Sequence, residues 1–282
     1  MKGIAINNIS KSYDKVRALD NVQLHLQENK IYGLLGRNGA GKTSLLNIIN
    51  GRIFADSGQV LVDGDPALEN DKVLRKLFMT SEKTLYPESM RIGEVYEWTR
   101  TFYPDFDMAY AKKASDLFEL DTRKKVKSLS TGFVSIFKLV AALSANTPYL
   151  FFDEPVLGLD ANNRDLFYRL LLEKYCESPC TIVISTHLIE EVSSVIEDVI
   201  VIKSGTILVN EPRESLLSRG YTVSGMAGAV DAWTKGKNIM AADTLGGLKT
   251  AYILDENKAD LPSDLTLGKM DLQKLFIHLT NS

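Results

Sequence analysis

Residues Gly36-Arg37-Asn38-Gly39-Ala40-Gly41-Lys42-Thr43 spell the pattern G-x-x-x-x-G-K-[ST] between a short apolar run, Ile31 to Leu35, and the start of a helical pattern. Glycines in such a loop let the main chain wrap until several N–H groups point inward at phosphate oxygens, and the following helix adds the positive end of its dipole. Lys42 supplies a point charge for β and γ phosphates, and the Thr43 hydroxyl is a hard oxygen ligand for Mg²⁺. Gly36, Asn38, Gly39, Ala40, Gly41, Lys42, Thr43 and Ser44 are therefore expected to hold a nucleotide's phosphates. The competing explanation is a turn that merely joins strand to helix. A complete match in that position argues against it.

A second cluster follows the apolar run Tyr149-Leu150-Phe151-Phe152, which ends in Asp153-Glu154. A buried strand ending in a carboxylate brings it to the sheet edge where Mg²⁺ would sit, so Asp153 joins Thr43 as a metal ligand. Glu154, one residue on, is the candidate general base, since in-line attack on a γ-phosphate needs a proton acceptor for water. Adjacent carboxylates at a strand end are more often surface charges, and the upstream loop reverses that balance. His187 follows the apolar run Thr181 to Ile184 and should reach the same edge, within range of the γ-phosphate and the water.

The elements that must position these groups are partly visible. Ile4, Ile6 and Ile9, then Val22, Leu24 and Leu26, alternate with polar residues as half-buried antiparallel strands do. Val60-Leu61-Val62 before Asp63-Gly64 belongs to the same β layer. Leu45, Leu46, Ile48 and Ile49 mark the helix after the loop. From about Leu77 the character shifts, and between Pro87 and Ala145 the runs are helix-like and no strand is expected. Tyr149 to Phe152, a helix through Leu166, Phe167, Leu170 and Leu171, and Thr181 to Ile184 make a parallel βαβ unit. Val199 to Ile202 and Thr206 to Val209, joined at Lys203-Ser204-Gly205, read as a hairpin. Beyond Pro212 no motif appears, although Leu272, Leu275, Phe276 and Leu279 suggest a final helix.

Composition narrows the function classes. With 33 Lys and Arg against 36 Asp and Glu the net charge is −3, so nothing points to nucleic acid or an anionic surface, and any anion must be bound locally. No run of apolar residues is long enough to span a bilayer, and the opening MKGIAINNISKSY has no leader-like apolar stretch. Cys176 and Cys180 flank Ser-Pro in a chain with 3 histidines, too few partners for a zinc cluster, and read as ordinary thiols.

With these motifs in order, the sequence resembles the ABC ATPase family over about residues 3 to 210. Leu129-Ser130-Thr131-Gly132-Phe133 looks like the family signature, which usually reads LSGGQ; Gly158-Leu159-Asp160 resembles its D-loop; and His187 matches its switch histidine. Tyr13 matches the aromatic that stacks on adenine, with a core tyrosine as the alternative. The position of the family's Q-loop glutamine falls in Met79-Thr80-Ser81-Glu82-Lys83, where alignment points to Ser81 and chemistry to Glu82.

The resemblance implies an α/β P-loop NTPase with a RecA-like parallel sheet core and an N-terminal antiparallel β layer. It implies an ATPase domain over 1–210, a helical subdomain at about 86–145, and a small C-terminal extension over 211–282. It implies ATP and Mg²⁺ as ligands, with Leu129, Ser130, Thr131 and Gly132 and the D-loop residue Asp160 completing the ATP site of a second subunit, either another copy or a paralogous ATPase. A separate integral membrane transporter subunit is the other expected partner, placing the chain in the cytoplasm on the inner face of the membrane. Leu85-Tyr86-Pro87 and the ending Asp271 to Phe276 look most like bacterial exporter ATPases, including those for peptides and phenol-soluble modulins. Thr131 and Phe133, where the signature usually has glycine and glutamine, leave a nucleotide-sensing regulatory or soluble ABC protein with weak ATPase activity as the alternative.

Overall fold

In the computed structural model, which describes residues 2–255 and 261–281, the alternating isoleucines form β1 (Ile4–Tyr13) with Ile4, Ile6 and Ile9 buried. A turn at Asp14-Lys15 leads into β2 (Val16–Leu26), antiparallel to β1. The apolar run β3 (Ile31–Leu35) is buried at every position and passes through the glycine loop into α1 (Lys42–Ile49). The chain then returns to the free edge of β1 as β4 (Ser57–Val62), with the short β5 (Asp65–Pro66) beyond it.

After one helical turn, α2 (Asp71–Leu74), capped by the Asn70 side chain, comes β6 (Leu77–Thr80). The sequence pattern shows only a change of character at about Leu77, and the structure places a strand there. Leu77, Phe78, Met79 and Thr80 are all buried and pair in parallel with β7 (Tyr149–Asp153). A strand covered on both faces shows no alternation, which is why the period-two test misses it. Between β6 and β7 lie α3 (Ile92–Phe102), α4 (Met108–Leu117), a 3-10 turn at Val126–Ser128 and α5 (Thr131–Ser144).

The path continues through α6 (Ala161–Glu177), β8 (Thr181–Thr186), α7 (Ile189–Val192), β9 (Asp198–Lys203) and β10 (Thr206–Pro212). One six-stranded sheet results, ordered β10-β9-β3-β8-β7-β6, parallel except at β10. Successive residues of β7 point to opposite faces. Phe151 meets the core shared with α1 and the antiparallel layer, while Phe152 meets the core shared with α5 and α6. The fold class is thus the expected mixed α/β arrangement of a parallel core with antiparallel β layers.

The remaining residues form α8 (Arg213–Arg219), β11 (Gly220–Met226), α9 (Ala227–Thr234), β12 (Ile239–Leu245), β13 (Leu248–Leu254), β14 (Thr266–Lys269) and α10 (Leu272–Asn281). Their antiparallel sheet, ordered β12-β13-β11-β14, closes over a small core of Tyr221, Val223, Val230 and Ile253. The last helix behaves differently. Its Leu272, Leu275 and Phe276 belong to the large core that also holds Ile189 and Val192 of α7, and Asn281 accepts a hydrogen bond from Arg37 at 3.1 Å.

Candidate functional site

Parallel pairing brings the chemistry-bearing residues to one sheet edge. Leu35 is in register with Thr186, Ser185 with Asp153, and Phe152 with Thr80, so the glycine loop, His187, Glu154 and Ser81 each begin where four neighbouring strands end. In the loop, Gly41 caps α1 at φ 108°, where a Cβ would stand 2.5 Å from the Ala18 carbonyl oxygen. At Gly36 a Cβ would lie 2.8 Å from the Ile202 carbonyl oxygen. Only glycine fits either place. Lys42 is buried and its Nζ donates to the Gly36 carbonyl at 2.6 Å, curling the ammonium under its own loop. Burial lowers its pKa, and Glu154 and Asp153 oppose that shift.

Asp153 is 6% exposed, and desolvation raises its pKa against the opposing pull of hydrogen bonds from the Thr43 and Ser185 hydroxyls. The Ser185 bond measures 2.9 Å. Glu154 adopts φ 50°, uncommon for a residue with a side chain. Its carboxylate stands 3.8 Å from the Lys42 ammonium and accepts from the Thr186 hydroxyl at 3.2 Å; His187 Nδ1 lies 3.0 Å from both of its oxygens. Lys42, Thr43, Asp153, Glu154 and His187 therefore form one connected group.

Other expected residues stand apart. Ser130 caps α5, accepting from the Phe133 N–H at 3.4 Å, and is exposed together with Thr131. Asp160 caps α6 through the Asn163 N–H at 2.8 Å. Residues 130–133 and 158–160 border one open basin, and the Cβ of any residue at Gly132 would approach the Gly158 carbonyl oxygen to 3.1 Å. Leu129 is half-buried beneath them. Among the described residues no hydrogen bond joins 129–133 to 36–44. Tyr13 is 45% exposed at the end of β1, its hydroxyl 3.5 Å from Ser44 Oγ, which leaves a ring face at the loop's flank rather than in the core. Ser81 and Glu82 both line a crevice of about 80 Å³ that also touches Asp153 and Glu154.

The donor set fits a magnesium nucleotide. Mg²⁺ takes few protein ligands and keeps water. One hydroxyl and one desolvated carboxylate suit that habit, and among the described residues no three His, Cys, Asp or Glu side chains gather as a competing metal site. Several residues at the site escape the sequence reading. Ser185 and Thr186 hold the two carboxylates, and their signal was a polar pair closing an apolar strand. Lys138 and Arg52 hold the segment after β6, Arg52 through the Met79 carbonyl at 2.6 Å and the Ser81 hydroxyl at 3.4 Å.

Comparison with known proteins finds relatives of the chain. Residues 19–157 match the model of the ABC transporter family. The chain is 32% identical over 189 residues to the ABC transporter ATP-binding protein YtrB of Bacillus subtilis (strain 168), covering 67% of this chain and 65% of that one. It is 29% identical over 227 residues to the galactose/methyl galactoside import ATP-binding protein MglA of Escherichia coli (strain K12), covering 76% and 44%. The chain thus spans less than two thirds of either relative. In fold it is similar to a solved ATP-binding subunit of an ABC transporter, with TM-score 0.69, 18% identity and coverage of 76% of this chain and 92% of that one. It is also similar to the cassette MJ0796, solved as a dimer in a post-hydrolysis state with ADP and Pi, with TM-score 0.67, 24% identity and coverage of 74% and 98%.

Proposed function

We propose that this chain is the ATPase subunit of a membrane transporter, since residues 19–157 match the ABC transporter family, a class of module that hydrolyses ATP. It works as one of a pair, with itself or a paralogous ATPase, on the cytoplasmic face of the membrane. The observation that carries this reading is the convergence of Lys42, Thr43, Asp153, Glu154 and His187 behind a glycine loop that no other residue type could form.

In the mechanism we assign, main-chain N–H groups of 36–44 receive the phosphates of ATP, and Lys42 exchanges the Gly36 carbonyl for phosphate oxygens. Thr43 and Asp153 would hold Mg²⁺, which when bound neutralises charge developing on the phosphates. Glu154 takes the proton of the attacking water on a carboxylate oxygen, and Thr186 and His187 fix the orientation of that carboxylate. Tyr13 offers its exposed ring to adenine. Ser130, Thr131 and Gly132, at the N-terminus of α5, face the nucleotide of the second subunit, with Asp160 beside them. Phosphate release from MgATP by the purified chain, lost on chelation by EDTA, tests the reading; a chain that neither binds nor turns over MgATP ends it.

Among the described residues no helix is long and apolar enough to cross a membrane. The proposed partner supplies that crossing and docks in a groove of about 490 Å³ between β6 and α3. Trp98 and Phe102 stand 46% and 47% exposed there, rings 5.0 Å apart, with Leu85 beside them and Arg75 at the rim. Exposed aromatics flanked by arginine make an interface anchor. Trp98→Ala combined with Phe102→Ala is expected to weaken association with the membrane subunit by about 2 kcal/mol or more, while phosphate release by the free chain stays unchanged. Co-purification and titration with the detergent-solubilised partner measure the first effect. Export is the direction we assign, on the resemblance at Leu85-Tyr86-Pro87 and Asp271 to Phe276; ATP-driven movement of cargo in vesicles holding both subunits tests it.

A further inference from the structure

Helix α5, which opens on Ser130, carries a charge where one is costly. Lys138 is 8% exposed, and its neighbours Phe137, Leu139 and Val140 are buried in the core. Among the described residues no carboxylate lies within 4.0 Å of its ammonium. Burial lowers its pKa, and the more distant Glu82 opposes that shift. An ammonium so placed persists only with other acceptors. It has them in the main chain: Nζ donates to the Ser81 carbonyl at 2.7 Å and to the Glu82 carbonyl at 3.0 Å.

Those carbonyls belong to a segment with two faces. Ser81 and Lys138 line the groove that holds Trp98 and Phe102, and they also line the crevice shared with Glu82, Asp153 and Glu154. The crevice is largely apolar in lining but carries the polar groups of Thr80, Ser81, Glu82, Asp153 and Glu154, and at about 80 Å³ has room for roughly two waters. Thr80 borders both spaces, and its Oγ1 is buried without a hydrogen-bond partner, so an acceptor and donor wait there for such a water. The only side-chain links that cross to this segment from elsewhere among the described residues come from Lys138 and Arg52. Of these, Lys138 alone lies on the helix that begins at the signature residues.

We propose that Lys138 is a positioning residue for hydrolysis: its ammonium pins the main chain of Ser81 and Glu82 against the Asp153–Glu154 crevice, and it links the groove and the signature helix to the hydrolytic carboxylates. The proposal rests on the ATPase reading above. It assigns to a lysine of α5 the task of holding a loop that lacks the family's glutamine. Lysine at 138 acts through Glu82 and Glu154, without touching substrate.

The test combines Lys138→Met and Lys138→Arg. Loss of a positioning partner of this kind costs about 10–100-fold in activity. Lys138→Met is expected to lose that factor in kcat with affinity for MgATP unchanged, and Lys138→Arg to restore most of it. Limited trypsin digestion of the nucleotide-free proteins is expected to cut after the exposed Lys83 faster in Lys138→Met than in wild type and no faster in Lys138→Arg. Wild-type kcat in Lys138→Met, an equal loss of affinity and kcat, no recovery with Arg, or unchanged cleavage after Lys83 would each overturn the proposal. If Lys138→Met does not fold, Lys138→Gln, which is neutral and one bond shorter than lysine, is put through the same measurements with the same expected split. Failure of the ATPase reading is separate, because it appears as a wild-type protein that does not bind MgATP, whereas the digestion result needs no nucleotide.

Discussion

Glu154→Gln is expected to lower steady-state phosphate release by about 10²–10⁴-fold, the usual worth of a general base, and to leave MgATP binding intact. Gln keeps the shape of the side chain and an oxygen that can accept from the Thr186 hydroxyl and from His187, now 3.2 and 3.0 Å away. It cannot take the proton of the attacking water. It also removes the negative charge 3.8 Å from Lys42, so the ammonium is freer to engage phosphate. The block should fall on kcat alone, and the ATP-bound pair should accumulate because the step that opens it is stalled. Phosphate-release kinetics, nucleotide titration and size-exclusion with ATP measure the three effects. Turnover close to wild type would transfer the base to another group.

Lys42→Ala should fail at the other end of the cycle. Truncating one member of a buried charged contact costs about 2–5 kcal/mol, which at the low end is roughly a thirtyfold loss of affinity. Calorimetric titration with MgATP should show weakened binding, whereas Glu154→Gln binds normally. The folded protein also bears a cost, because the Gly36 carbonyl, which now accepts from Nζ at 2.6 Å, loses its partner. A drop of about 1–3 kcal/mol in unfolding free energy is the corresponding estimate, so thermal melts must accompany the titration. Full affinity in a folded Lys42→Ala protein would mean that the main-chain cradle suffices without the ammonium.

What could be read from the sequence is what leaves a string behind. The loop is legible because its glycines stand where a Cβ would strike the Ala18 or Ile202 carbonyl oxygens, so chemistry and spacing coincide. Asp153 and Glu154 are legible because a buried parallel strand is an unbroken apolar run with a sharp end. β6 is not, for the same reason in reverse: four buried residues, Leu77 to Thr80, flanked by lysine and serine, look like any apolar stretch. Tyr13 could not be assigned a side by alternation, because β1 shifts register between Ile6 and Ile9, again before Lys11 and again before Ser12. Lys138 did leave a trace, a lone charge among Ile136, Phe137, Leu139 and Val140, but helical periodicity treats one such residue as noise. Arg52 left none, since its partners at Met79 and Ser81 are far along the chain and are reached only by folding.

The backbone at Glu154 bends with φ 50°, in a region where glycine and asparagine are at ease and glutamate is not. Left to stability alone, this position would drift toward one of those residues and gain on the order of 1 kcal/mol. Holding a carboxylate there costs the fold stability at its proposed hydrolytic centre, so a hardier variant that relaxes this backbone with glycine or asparagine is expected to give up phosphate release in exchange.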